Sequence, residues 1–177
     1  MGSEPDLLLQ AKQFDTCALA EIYDLYSPRL YRYGMRFLGD ACMAEDCVAE
    51  TFSRFLQALQ SHRGPREYLQ AYLFRTMHNL IVDHYRRQPT TEIPNDKPSG
   101  CENIEESTDH HLRQLRIRAA LHELTSDQQQ VIALKYFEGW ENEEIARALN
   151  KPIGAVKSLQ HRALAHLQKI LLDNETC

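Results

Sequence analysis

Apolar residues recur at helical spacing along almost the whole chain, and one short polar segment interrupts this pattern. The segment carries Pro89, Pro94, Pro98 and Gly100 among Ser, Thr and Asn residues. No stretch shows the sustained alternation of apolar and polar residues that indicates a half-buried strand. Because a polar segment with several prolines continues neither neighbouring helix, the sequence predicts an all-α fold of two small helical domains joined by a flexible linker.

Apolar stripes divide the first domain into helices. The first stripe consists of Phe14, Ala18, Ile22 and Leu25. Ser27-Pro28 predicts a new helix start, since Ser caps a helix and Pro suits its first turn. That helix is predicted to end after Leu38, where Gly39 stops it. Two further helices, separated by the turn 63–65, are predicted to bury Val48, Phe52, Phe55 and Leu59, and then Leu69, Leu73, Met77, Leu80 and Ile81.

The second domain is also predicted to be helical. Its first helix runs from Leu112 to Glu123, and the pair Thr125 and Gln128 has the spacing of a capping box for the next, which ends at Gly139. A short helix over 143–149, a turn over 150–152 and a final helix over 153–172 complete the domain.

The acidic excess of the chain lies in the linker. The 177 residues hold 20 Lys and Arg against 25 Asp and Glu, a net charge of −5, which at first argues against a nucleic-acid binder. Residues 1–88 hold 10 cations and 11 acids, residues 89–111 hold 1 and 6, and residues 112–177 hold 9 and 8. Both domains are therefore near neutral, so the objection loses most of its force, although neither domain can hold duplex DNA tightly by charge alone.

No feature of the sequence indicates export, a membrane span or an active site. Five cysteines without a Cys-x-x-Cys pair, no secretory signal and no apolar run near 18 residues predict a reduced, cytoplasmic chain without direct membrane insertion. Histidine pairs lack ligand spacing and no phosphate-binding Gly loop occurs, so no catalytic residue, cofactor or metal ligand is predicted. Cys101 near His110 and His111 is a weak metal candidate, since it falls in the linker.

A helix-turn-helix is predicted at residues 143–172. Ala146 is small where two helices approach closely, and Ile145, Leu149 and Val156 can close the core between them. The second helix of such a unit enters the major groove. Its outward donors to bases and phosphates would be Lys157, Ser158, His161 and Arg162. The alternative is an ordinary helical hairpin with a solvated face.

Two helical faces of the first domain also carry patterned polar residues. One interleaves rings with cations and amides, as single-stranded nucleic acid requires: Tyr68, Tyr72, Arg75, Asn79, Asp83, Arg86 and Arg87. The other lies opposite a buried stripe and consists of Asp46, Ala49, Glu50 and Ser53. An amphipathic helix and a solvated face with a Glu50–Arg54 pair are the respective alternatives, and protein docking is the functional interpretation of the second face.

These patterns occur in the order found in a known family. The motifs Leu38-Gly39-Asp40, Ala44-Glu45-Asp46, Glu50-Thr51-Phe52 and Tyr72-Leu73-Phe74-Arg75 resemble the second domain of bacterial sigma factors. The motifs Glu144-Ile145-Ala146, Gly154-Ala155-Val156-Lys157-Ser158 and His161-Arg162-Ala163 resemble their fourth domain. A chain with these two domains, at residues 1–88 and 112–177, and a linker at 89–111 is similar to extracytoplasmic-function sigma factors.

The resemblance implies a transcription initiation factor without catalysis. Its second domain would dock on the β′ clamp helices of RNA polymerase through Asp46, Ala49, Glu50 and Ser53. It would open and read the minus-ten element through His62, Arg63, Arg66, Tyr68, Tyr72, Arg75, Asn79, Asp83, Arg86 and Arg87, with the loop 62–68 capturing a flipped base. The fourth domain would bind the β flap and read the minus-thirty-five duplex through Lys157, Ser158, His161 and Arg162. Such factors are usually held inactive by an anti-sigma protein, which is often membrane-anchored.

The chain departs from the family pattern at four positions. Ala49 replaces a usual Gln of the docking motif, and Tyr72 replaces a common Trp while keeping a stacking ring. Leu159 and Leu164 replace two cations of the promoter-reading helix, which weakens the assignment of minus-thirty-five contacts and predicts a core role for Leu159.

Two other functions stay open from the residues alone. A one-component or response-regulator transcription factor would share the helix-turn-helix but needs a ligand or phosphoacceptor domain, and the N-terminal half shows no parallel-sheet pattern. A helical metalloenzyme needs ligand pairs four residues apart on a helix, which the sequence lacks.

Overall fold

The structure, a computed structural model, describes residues 3–87 and 104–173, with side chains of the second range from residue 111 to residue 172. These residues form helices and no strand, which confirms the all-α prediction for the described part of the chain. The first domain contains α1 (Glu4–Lys12), α2 (Thr16–Leu38), α3 (Ala41–Gln60) and α4 (Leu69–Arg87). The second contains α5 (Ile104–His122), α6 (Ser126–Ile132), a π-helical turn (Ala133–Phe137), α7 (Asn142–Leu149) and α8 (Ile153–Asp173).

Helices α2, α3 and α4 form a bundle on which α1 packs. Side-chain caps begin two of the helices: Asp15 accepts from the amide of Ala18 and Asp40 from the amide of Met43, each at 2.8 Å. Gly39 adopts φ 69° at the end of α2, where a left-handed residue terminates the helix as predicted. The bundle buries the predicted residues of α3 and α4, except that Leu80 is only partly buried.

The predicted helix break at Ser27-Pro28 is wrong. Helix α2 continues through Pro28, which lies exposed on its surface. An interior proline removes one backbone hydrogen bond. A continuous stripe on both sides of it is buried against α3 and α4, and this packing outweighs the local cost; its members are Ala18, Ile22, Tyr26, Leu30, Tyr33 and Phe37. Phe14 and Leu25, predicted to belong to the stripe, are instead 41% and 42% exposed.

From Thr125 onward, the second domain follows its predicted boundaries closely. The capping box forms, since Thr125 accepts from the amide of Gln128 and the Gln128 side chain accepts from the amide of Thr125. Gly139, at φ 73°, ends the α6 region. Ile145 and Val156 close the core between α7 and α8, and Leu149 and Leu159 pack partly buried against it. The helix-turn-helix geometry and the core role of Leu159 are thus confirmed.

Most of the predicted linker 89–111 lies outside the described residues. Helix α5 begins at Ile104, so the C-terminal part of that segment is helical and the prediction of a linker up to residue 111 is wrong there. The prediction started α5 at Leu112 because residues 104–111 carry too many polar side chains to show an apolar stripe.

Gly34 lies at a close crossing of helices in the first domain. A Cβ placed on it would lie 2.6 Å from Met77 Cε of α4 and 3.3 Å from Ala44 Cβ of α3. Gly34 and Met77 are both buried, so the neighbouring side chains have little room to move. The absence of a side chain at this position therefore permits α2 to approach both helices.

We expect Gly34→Val to destabilise the chain by about 1–3 kcal/mol, because overpacking a buried crossing forces the helices apart. Urea unfolding followed by circular dichroism measures the change. Gly154→Val is the matched control, since a Cβ on Gly154 meets nothing within 4 Å. Equal stability of the two variants would contradict this account of the crossing.

Candidate functional site

The residues predicted to form the docking face lie together on the outward side of α3. Asp46, Ala49 and Glu50 are exposed and Ser53 is half-buried, opposite the buried stripe of the helix. Glu50 pairs with Arg54 at 2.8 Å, as its spacing predicts. Because this pair is exposed, it contributes little stability and leaves the carboxylate accessible.

Two apolar residues extend this face, and sequence reasoning missed both. Tyr23 of α2 is 49% exposed and its ring lies 4.8 Å from that of Phe52. Leu56 is 38% exposed and lies one helical turn beyond Ser53. Leu56 could have been found from its three-residue spacing to Ser53, whereas Tyr23 comes from another helix and only the packing of α2 on α3 brings it there.

The loop between α3 and α4 is strained at both ends. His62 and Tyr68 have φ values of 53° and 54°, in the left-handed region that residues other than glycine rarely adopt. His62, Arg63 and Arg66 are exposed, whereas Pro65 is buried and anchors the middle of the loop. Strain of this kind costs on the order of 1–3 kcal/mol per residue and concentrates at functional sites.

The polar face of α4 is present as predicted. Arg75, Asn79, Arg86 and Arg87 are exposed, whereas Tyr72 and Asp83 are partly buried. The Tyr72 ring lies 6.0 Å from that of Phe55, so one side of it packs on the first domain. The opposite face of α4 is buried in the bundle through Leu73, Met77 and Ile81.

Helix α8 presents its predicted donors outward. Lys157, Ser158, His161 and Arg162 are all exposed, while Val156 and Ala163 on the other side are buried. Arg162 Nε donates to the carbonyl of Ser158 at 3.3 Å, which holds that side chain along the helix surface. Leu164 is 42% exposed, so it does not share the core role of Leu159.

The two domains pack together, and the contact includes the start of α4. Arg29 pairs with Glu138 at 3.2 Å, and the Glu138 side chain is almost fully buried. The Trp140 ring lies 5.6 Å from that of Phe74, edge to face. The Arg147 guanidinium lies 5.1 Å from the centre of the Tyr68 ring. One predicted minus-ten residue, Tyr68, is thus in contact with the first helix of the helix-turn-helix.

Two histidines bridge the domains. His78 of α4 is fully buried; its Nδ1 lies 2.9 Å from the Tyr33 hydroxyl and its Nε2 lies 3.1 Å from the carbonyl of Ser126. Burial lowers the pKa of His78 to about 4, so the ring is neutral, accepts from Tyr33 and donates to Ser126. His122 Nε2 donates to the carbonyl of Phe37 at 3.2 Å, and burial lowers its pKa as well.

The described residues contain no group of three or more His, Cys, Asp and Glu side chains that could hold a metal ion. Cys101 and the side chain of His110 lie outside the described part of the chain. Within that part, no helix has the length and apolar character to cross a membrane.

Two family models match the chain. Sigma-70 region 2 matches residues 22–90, and Sigma-70 region 4 matches residues 114–167. The chain is 30% identical to ECF RNA polymerase sigma factor SigL of Mycobacterium tuberculosis over 90% of this chain and 92% of SigL. It is 30% identical to ECF RNA polymerase sigma factor BldN of Streptomyces coelicolor over 96% of this chain, but spans 66% of BldN.

Two solved structures share the fold. CnrH, in complex with the cytosolic domain of CnrY, aligns with a TM-score of 0.73 and 24% identity over 97% of each chain. The sigma factor RpoE, in complex with the anti-sigma factor NepR from Bartonella quintana, aligns with a TM-score of 0.61 and 22% identity over 86% of this chain and 95% of RpoE.

The buried neutral His78 predicts a pH dependence of stability. Its folded pKa of about 4 lies below the ordinary value of 6.5, so the unfolded chain binds the proton first as pH falls. The contribution of neutral His78 to the free energy of unfolding is complete above pH 6.5 and is lost as the pH falls towards 4. Between pH 7 and pH 5, the free energy of unfolding should fall by about 2 kcal/mol.

Urea unfolding at pH 7 and pH 5 measures this loss. His78→Asn should reduce the difference between the two pH values, because the variant has no imidazole to protonate. His166→Asn, at an exposed position of α8, is the control. An unchanged pH difference in His78→Asn would rule out His78 as its source.

Proposed function

The chain belongs to the extracytoplasmic-function RNA polymerase sigma factors, and we propose that its two domains divide polymerase docking, strand separation and duplex binding between them. It is a transcription initiation factor that binds RNA polymerase and promoter DNA. A one-component or response-regulator protein would share only the helix-turn-helix and would not explain the region 2 match over residues 22–90.

The outward face of α3 docks on the β′ clamp helices of polymerase. Asp46 and Glu50 supply charge at the exposed surface, and Tyr23 and Leu56 supply an apolar border. An interface of this kind, with an apolar patch beside charges, suits a partner with basic and apolar side chains. Ala49 removes one amide contact that the family pattern provides, and Tyr23 offers replacement contact area.

The loop 62–68 and the polar face of α4 open and read the minus-ten element. Capturing unstacked bases on rings and polar groups offsets a few kcal/mol of unstacking per base, so no nucleotide hydrolysis is needed. Tyr68 and Tyr72 offer rings, and the His62 ring can donate a hydrogen bond. The cations that can hold phosphates are Arg63, Arg66, Arg75, Arg86 and Arg87. Asn79 and Asp83 offer hydrogen-bonding groups. The observation that carries this assignment is the exposure of these cations on one side of a strained loop and helix.

Helix α8 reads the minus-thirty-five duplex through Lys157, Ser158, His161 and Arg162. Their exposure in the N-terminal half of the second helix of a helix-turn-helix supports this role. The second domain, residues 112–177, has 9 cations against 8 acids. Duplex binding therefore gains most of its strength once the domain is held on polymerase by the β flap.

Promoter reading requires the two domains to separate. Arg147 lies against Tyr68 and Trp140 lies against Phe74, so the start of α4 is covered by the second domain. Asp46, Ala49 and Glu50 of the α3 face and the outward donors of α8 remain exposed in this arrangement. Polymerase can thus bind the closed form through α3 before the ring of Tyr68 is released from Arg147.

The factor acts in the cytoplasm, where polymerase and promoters are, and has no catalysis or cofactor of its own. An anti-sigma factor holds it inactive by covering the polymerase-binding faces. The NepR complex of a structurally similar sigma factor supports a partner of this class. If the anti-sigma factor is anchored in the membrane, it holds the sigma factor at the membrane.

In vitro transcription with purified core polymerase on a promoter library tests this function. The expected result is a stable complex with core polymerase and initiation at a subset of promoters. If neither appears with factor freed of any inhibitor, the proposed roles are wrong.

Tyr72→Ala should reduce open-complex formation about tenfold and leave core binding nearly unchanged, because stacking on one base contributes about 1–3 kcal/mol. Tyr72→Phe keeps the ring and should keep most of the activity, which separates stacking from the hydroxyl. Permanganate footprinting reports opening, and gel filtration with core polymerase reports binding. If Tyr72→Ala instead reduced only core binding, the docking face would lie on α4 and the assignment of the strand-reading face would be wrong.

Lys157→Ala and Arg162→Ala should weaken holoenzyme binding to minus-thirty-five duplexes, because each removes a cation that can bind a phosphate. The slope of log affinity against log salt should fall by about 1 for each phosphate that the variant no longer binds. Fluorescence anisotropy over a range of salt concentrations measures the slope. Arg32→Ala, at an exposed position of α2, is the control and should leave it unchanged.

A further inference from the structure

Helix α1 lies outside the region 2 match, which begins at residue 22, and no role for it follows from the family pattern. It packs on α2 and α4 through Leu7, Leu8 and Ala11, which are buried. The two ends of α1 contact the segment that leads from the strained loop into α4, through Glu4 and Lys12.

The N-terminal end of α1 caps α4 from a distance. Glu4 Oε1 accepts from the backbone amide of Gln70 at 3.2 Å, and Glu4 Oε2 accepts from the Tyr26 hydroxyl at 3.1 Å. Gln70 is in the first turn of α4, where amides have no partner within the helix. Tyr68, the residue before α4, has no short side-chain oxygen that can accept hydrogen bonds from these amides. A carboxylate at this position also has a favourable interaction with the helix dipole.

The C-terminal end of α1 holds the loop itself. Lys12 Nζ donates to the carbonyl of Arg66 at 3.2 Å. Lys12 also lines a cavity of about 240 Å³ beneath the loop, together with Leu59, His62, Gly64 and Arg66. Its lining combines the apolar side chain of Leu59 with cationic and imidazole groups.

The two contacts of α1 lie on either side of Tyr68. Lys12 binds the chain at Arg66 and Glu4 binds it at Gln70, so the left-handed backbone at Tyr68 is fixed before and after the strained residue. Glu4 and Lys12 are eight positions apart along the helix, a rise of about 12 Å. A rigid helix of this length can fix both points at once, which a single contact could not do.

We propose that Glu4 and Lys12 of α1 are positioning residues for minus-ten recognition, which hold the loop 62–68 in the conformation that receives a captured base. This inference rests on the proposed function of that loop. The conformation of the loop then depends on a helix outside the region 2 match and on two side chains that need not touch DNA.

The test uses full-length variants assembled with core polymerase and a single-stranded minus-ten oligonucleotide, either intact or with the captured base replaced by an abasic site. Wild-type holoenzyme should bind the intact strand more tightly. Glu4→Gln and Lys12→Met should each weaken binding of the intact strand three- to tenfold and that of the abasic strand much less. Core binding should stay unchanged.

Controls separate positioning from general destabilisation. Asp6→Asn removes an exposed carboxylate of the same helix, whose hydrogen bond is to Ser3, and should behave as wild type. Lys12→Arg should restore most of the affinity that Lys12→Met removes. Hydrogen exchange of the free chain gives an independent readout: the Gln70 amide should exchange faster in Glu4→Gln but not in Asp6→Asn.

Two outcomes overturn the inference in different ways. If wild-type holoenzyme does not distinguish the intact from the abasic strand, the proposed function of the loop fails and the inference with it. If the wild type distinguishes them and both variants do so equally well, the function stands and the positioning role of α1 is wrong. If the variants lost equal affinity for the intact and the abasic strand, α1 would have only a structural role and the inference would also be wrong.

Discussion

Packing of α4 on two sides fixes the orientation of its polar face relative to the α3 face and to the loop before it. One face of α4 is buried in the first domain through Leu73, Met77 and Ile81, and His78 connects it to Ser126 of the second domain. Only the remaining stripe, with Arg75 and Asn79, stays in contact with solvent. Because the helix cannot rotate without exposing buried groups, its polar face has one orientation relative to α3 and to the loop before it.

The contact between the domains combines apolar packing, such as Trp140 against Phe74, with polar groups that are hydrogen-bonded across it. His78 has a partner at each nitrogen, and Glu138 pairs with Arg29 while almost fully buried. With its side-chain amide oriented to accept, Gln70 bonds both Arg29 and the indole of Trp140, at 2.8 and 2.7 Å. Removing one partner leaves a buried polar group without a hydrogen bond and destabilises the closed arrangement. Separating the domains instead lets water replace all the lost hydrogen-bond partners together. A contact of this composition is therefore specific when closed and can also open.

Much of the second domain follows from short-range rules that act within a few residues. The Thr125–Gln128 box, Gly139 and the sequence between α7 and α8 specify caps and turns locally, so their boundaries were predictable. The first domain departs from such rules at Pro28, where long-range packing keeps α2 intact. It departs again at the start of α4, whose cap comes from Glu4, 66 positions earlier in the chain. A cap supplied by a distant residue leaves no local pattern to recognise.

The sequence by itself determined the all-helical fold, the family and the outward residues of α3, α4 and α8, because helical periodicity separates buried from exposed positions without reference to other elements. Only the tertiary structure decided which helices share a surface. It placed Tyr23 beside the α3 face, α1 against the loop 62–68, and Arg147 over Tyr68. These contacts join residues far apart in sequence, and their geometry depends on how whole helices cross, which no local pattern encodes.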